Sequence, residues 1–151
     1  METKVLDIDD RVRDNTPEEE NAEIDQKTLL NIEFFGSLSH SDITKRLEEL
    51  QKEWDIEKVL EVNASSLALM GLLLGKFVHR GWFILPGIVA SFLLQHGLQG
   101  WCPPLPLLRR MGYRTRQEIS EEVYALKVLR GDFEDITAAS RPKDIVNTFR
   151  R

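Results

Sequence analysis

Apolar positions along this chain change their spacing four times, and each change marks a predicted element. Over 41–54 (SDITKRLEELQKEW), Ile43, Leu47, Leu50 and Trp54 recur at i, i+4, i+7 and i+11. That is one face of an amphipathic helix. Ser41 is placed to cap it, and Asp42 suits the positive end of its dipole. From Val62 to Gly75 the pattern turns continuously apolar, and the helix can run from Val59 to Val78. A second apolar run, Trp82 to Leu98 and extendable to Trp101, follows after His79-Arg80-Gly81. Asp55 is placed to open the first of these helices and Gly81 to close it. Pro86 falls in the first turn of the second or just beyond, where a missing N–H costs less than in mid-helix. Pro103, Pro104 and Pro106 then predict an extended path. A last amphipathic helix starts at Thr115, with Glu118 completing a T-x-x-E capping box. Ile119, Val123 and Leu126 line its face, Gly131 ends it, and the tail after Phe133 reads as loose.

Two segments carry weaker patterns. Residues 1–26 are polar and acidic, with Glu18, Glu19 and Glu20 adjacent, and read as a disordered acidic arm. A docking segment around Val5, Leu6 and Ile8 is the sharper alternative. Residues 27–40 are locally apolar, but their periodicity does not separate helix from strand.

The fold class expected is therefore all-α: a transmembrane helical hairpin with flanking amphipathic helices and a disordered acidic N-terminal arm. The divisions are 1–26 (arm), 27–54 (amphipathic cytoplasmic segment), 55–116 (two-helix membrane domain) and 117–151 (amphipathic helix and loose tail). A helix crosses a hydrocarbon core of about 30 Å in about 20 residues. Trp82 and Trp101 stand at a spacing of about 28 Å along a helix, matching two interfaces. Trp54, Trp82, Trp101, Arg109 and Arg110 are the expected interfacial anchors. Small residues recur at helical spacing: Ala64, Ala68, Gly71 and Gly75 on the first helix, Gly87 and Ser91 on the second. They predict the helix–helix packing face. Asn63, Ser65, Ser66, Gln95 and Gln99 would bond across the helices at one level. The alternative is a soluble bundle with the apolar pair as its core.

Charge sharpens this division. Residues 1–58 hold 17 of the 25 acids and 8 of the 20 bases, and the remainder holds 8 acids and 12 bases. No Asp, Glu, Lys or Arg occurs between Gly81 and Leu108. The acidity and the lack of a basic run speak against nucleic acid as a partner. The acidic, non-apolar start does not read as a signal peptide. Lys52, Lys58, Arg109, Arg110, Arg114 and Arg116 outweigh Lys76 and Arg80, so both termini are expected in the cytoplasm.

Cys102 is the single cysteine, which excludes an internal disulfide. It is the candidate thiol, activated if Arg109 and Arg110 fold back on it. No metal site and no cofactor are expected, since Cys102 and His96 alone do not make a ligand set. No nucleotide loop or catalytic triad motif occurs, and the chain is expected not to be an enzyme.

Gly100-Trp101-Cys102-Pro103, Leu107-Leu108 and Gly112-Tyr113-Arg114-Thr115 follow the second apolar run. In these elements residues 55–116 resemble the YgaP-like inner-membrane domain family. Glu53 to Phe133 also resembles small uncharacterised bacterial two-helix membrane proteins that carry this domain. The resemblance implies the bacterial inner (cytoplasmic) membrane, a lipid bilayer as solvent, and a membrane-protein partner or homo-oligomer. In the family's namesake a rhodanese domain is attached. In this sequence that domain is not expected, because prolines after Cys102 lack the N–H donors of a persulfide loop. The expected function is a non-enzymatic accessory, assembly or partner-binding subunit. The alternatives are a thiol-dependent sulfur-carrier or redox component using Cys102, and an oligomeric small-solute channel.

Overall fold

In a computed structural model of the chain, residues 10–137 and 140–150 are described. All regular structure among them is helical. Val5, Leu6 and Ile8 lie outside the described residues. The helices are α1 (Arg11–Asp14), α2 (Glu18–Gly36), α3 (His40–Lys52), α4 (Ile56–Phe77), α5 (Ile84–Gln99), α6 (Leu105–Arg110), α7 (Arg116–Arg130) and α8 (Pro142–Arg150). They form two compact units, each built from segments distant in sequence.

The first unit holds residues 10–24 together with Trp54–Gln117. Its core is Val12, Ile56, Val59, Leu60, Cys102, Leu105 and Leu108, with Trp101 and Tyr113 packed against it. The expected mobile arm is overturned for residues 10–26, which are helical apart from short breaks. Asp10 caps α1, its carboxylate accepting from the N–H groups of Val12 and Arg13. Arg11 donates to the carbonyl of Gly97 at 2.6 Å, and Asn15 to that of Gln99 at 2.8 Å. These are terminal carbonyls of α5, which have no partner within their own helix. The arm is held by polar side chains that cap another helix, together with the buried Val12, Thr16 and Ile24.

Asp55 caps α4 as expected, accepting from the N–H of Lys58 at 2.8 Å. The other end differs. The Leu74 carbonyl accepts from the N–H groups of both Val78 and His79, so the helix ends before Gly81. Gly81 lies instead in a 3-10 turn over Arg80–Phe83, capped by the His79 imidazole. α5 consequently starts at Ile84 rather than Trp82. It stops at Gly100, whose φ of 74° is left-handed, before reaching Trp101. With that later start Pro86 sits in its first turn, one of the two positions the sequence allows. The extended path after Cys102 is not found. Pro104 and Pro106 lie at the start of α6, where fixed φ favours a helix and the missing N–H has no partner to lose.

The second unit holds Asp25–Glu53 and Glu118–Arg151. Residues 27–36 are helical, which settles the ambiguity over 27–40 up to Gly36. Ile43, Leu47, Leu50, Ile119 and Leu126 form the core, with Phe35 and Val123 against it. Ser39, not Ser41, caps α3. Trp54 departs from the Ile43–Leu47–Leu50 face because α3 stops at Lys52. Within the core, Glu122 is fully buried and accepts from Arg46 Nε at 2.9 Å. The Arg46 guanidinium also stacks over the Phe35 ring at 5.0 Å. The tail expected to be loose contains α8.

Candidate functional site

The α4–α5 hairpin of the first unit is built from one small face and one large one. On α4, Gly71 and Gly75 are buried and Ala64 and Ala68 half-buried. A Cβ placed on Gly71 would lie 2.6 Å from Cδ of Pro86, and one on Gly75 2.8 Å from the Phe83 ring. The first helix therefore uses the small residues expected of it. The second does not. Gly87 and Ser91 are exposed, and a Cβ on Gly87 would meet nothing within 4 Å. The side of α5 turned to α4 carries Leu85, Pro86 and Val89, because a groove cut by glycine is filled best by bulk.

For Asn63, Ser65 and Ser66 the expected cross-helix polar contacts are replaced by local ones. Ser65 and Ser66 donate to the carbonyls of Glu61 and Val62, and Asn63 to that of Val59. Each returns to its own helix, the usual i−4 bond of such residues.

The expected anchors divide. Trp54 and Trp82 are exposed, and Lys58 sits 4.8 Å above the Trp54 ring. Trp101 packs on the core instead. Arg110 is exposed and pairs with Glu20 at 3.3 Å. Arg109 is not a surface anchor: it is 1% exposed. It donates to Asn21 Oδ1 at 2.7 Å and to the Tyr113 carbonyl at 3.1 Å. Sequence reasoning could not find this, since its partner lies in the segment read as disordered.

Below the glycine contacts, two cavities meet at His96. The first, about 400 Å³, is almost wholly apolar. From α4 it takes Leu60, Asn63, Ala64 and Leu67, and from α5 Val89, Phe92, Leu93 and His96. Both sets have i, i+3, i+4, i+7 spacing, one stripe from each helix. Cys102, Pro104, Leu107 and Leu108 complete it. The second cavity, about 350 Å³, is the more polar of the two, with Asp10, Arg11, Glu57, His96, Thr115 and Arg116 in its wall. Asp10 Oδ2 accepts from the Thr115 hydroxyl at 2.7 Å. Glu57 Oε2 and His96 Nδ1 are buried and have no hydrogen-bond partner. An unmet buried polar atom costs roughly 1–3 kcal/mol, and both residues belong to the wall of this cavity.

Cys102 is 3% exposed. Burial pushes its thiol pKa up, with the Leu105 N–H opposing in part. The arginines expected to activate it are committed elsewhere, Arg109 to Asn21 and Arg110 to Glu20. Among the described residues no three His, Cys, Asp or Glu side chains group as a metal site.

No family model matches the chain, and no solved structure matches it. Over 58 residues it is 41% identical to an uncharacterized protein of Synechocystis sp., a stretch covering 38% of this chain and 32% of that protein. The chain thus matches about a third of the length of that relative.

Proposed function

We propose that the chain is a small integral membrane subunit, non-enzymatic, whose α4–α5 hairpin spans the bilayer and whose remaining helices bind a partner. The observation that carries this reading is the outward face of α5. The apolar stretch Arg80–Gln99 has none of its residues buried, and Ile84, Leu94 and Leu98 are each about two-thirds exposed. In water such a continuous patch is unfavourable; in lipid it is the ordinary solvent-facing surface. α4 with 22 residues and the 20-residue Arg80–Gln99 stretch reach about 30 Å each. The glycine-cut contact near the turn is the kind that associates helices where no hydrophobic effect drives them together.

The resemblance of 55–116 to the YgaP-like domain supports the same reading and extends it to the bacterial inner membrane, with both termini cytoplasmic. Thiol chemistry at Cys102 is not part of the proposal, because a buried thiol with a raised pKa is a poor nucleophile. The test is fractionation of cells expressing the tagged chain, followed by an alkaline carbonate wash. Retention in the pellet is expected. Release into the soluble fraction overturns the spanning hairpin.

A further inference from the structure

We propose that the paired cavities at His96 form one binding site for a single-chain amphiphile with an uncharged, hydroxyl-bearing head. Its chain lies in the apolar cavity and its hydroxyls hydrogen-bond in the more polar one. This rests on the membrane reading above, which supplies a source of such molecules.

Three observations define the ligand. The apolar cavity, about 400 Å³, is within the range of small-ligand sites, and its wall offers one apolar stripe from each helix. The two unpartnered atoms are Glu57 Oε2 and His96 Nδ1, a carboxyl oxygen and an imidazole nitrogen that accepts or donates according to its tautomer. A hydroxyl donates and accepts and so satisfies both, which an ester or ketone without a hydroxyl does not. The charges of the polar cavity cancel: Asp10 and Glu57 face Arg11 and Arg116. Arg11 is held by the Gly97 carbonyl, and Arg116 stands 3.6 Å from Asp55. Neither an anionic nor a cationic head gains a net partner there. A head with two hydroxyls on one acyl chain, as in a monoacylglycerol, meets all three conditions.

Cys102 lines the apolar cavity and is the sole thiol of the chain, so it reports occupancy without a label. The full chain in phosphatidylcholine nanodiscs is alkylated with N-ethylmaleimide and followed by intact mass. Four probes of one chain length are compared: monooleoylglycerol, methyl oleate, oleic acid and oleylamine. At ten times its dissociation constant, monooleoylglycerol is expected to slow alkylation about tenfold, and the other three to leave the rate near that of empty discs. His96→Phe and Glu57→Met each remove one hydrogen-bonding group and are expected to abolish the protection. Either variant that keeps its helical circular dichroism suffices. Equal protection by methyl oleate would overturn the proposal in favour of general acyl filling. Flat rates with all four probes, or protection that survives both variants, would also overturn it. A chain that does not stay in the discs fails the membrane reading itself, whereas a chain that stays with flat rates fails only this inference.

Discussion

Gly71 and Pro86 meet so closely that a methyl group on the first would stand 2.6 Å from Cδ of the second. A proline ring cannot swing aside as a flexible chain end can. Gly71→Ala is therefore expected to destabilise the hairpin by about 1–3 kcal/mol, the range for overpacking a close contact. Gly87→Ala, where a Cβ meets nothing, is expected to leave it unchanged or firmer, since alanine is the better helix former. Thermal melts of both variants in the same detergent check the pair. Equal effects would show that the contact does not hold the hairpin.

Gly100 makes a sharper demand. Its φ of 74° ends α5, and a Cβ there would stand 2.5 Å from the Arg11 carbonyl oxygen. Gly100→Ala is expected to detach residues 10–16 from α5. Limited proteolysis should then cut at Arg11 or Arg13, positions protected in the parent chain.

In the second unit, Glu122→Ala leaves the half-buried Arg46 guanidinium only the exposed Glu49, 3.5 Å away, as a carboxylate partner. Breaking a buried pair from one side costs about 3–5 kcal/mol, so the midpoint of urea unfolding should fall markedly. Replacing both residues, Glu122→Leu with Arg46→Met, should recover most of the loss. A double variant as unstable as the single one would refute the ion-pair account.

Asp132 accepts from Arg130 Nε at 2.7 Å. That hydrogen bond, with the guanidinium charge, holds its pKa below the ordinary 3.8. A depressed folded-state pKa stabilises above the unfolded value and is lost as pH falls through the folded one. Asp132→Asn should therefore be less stable than the parent chain at neutral pH, and the two should converge as pH drops below 3.8. Unfolding curves at pH 7 and pH 2.5 check this. A gap that persists in acid would mean the carboxylate charge is not the source.

Alkylation of Cys102 without added lipid is expected to be slow at neutral pH and to keep rising with pH past the ordinary thiol value of 9.0 rather than level off there, because burial raises its pKa. A rate at pH 7 equal to that of a free thiol would show the site opens freely.

The sequence alone determined the elements whose signals are local. The face of Ile43, Leu47 and Leu50, the cap at Asp55, the stop at Gly131 and the small face of α4 depend on spacing within a few residues. What depends on distant partners was decided only by the tertiary structure. Residues 10–26 look too polar to order themselves. They are held because Arg11 and Asn15 complete carbonyls at the end of α5, more than eighty residues away. Arg109 reads as a surface charge until Asn21 is brought to it. Gly87 and Ser91 have the spacing of a packing face, but rotation of α5 about its axis turns them outward, and a uniformly apolar helix carries no sequence signal for that rotation. The cavity site is invisible for the same reason: Glu57 and His96 become neighbours of one space only when α4 and α5 lie side by side.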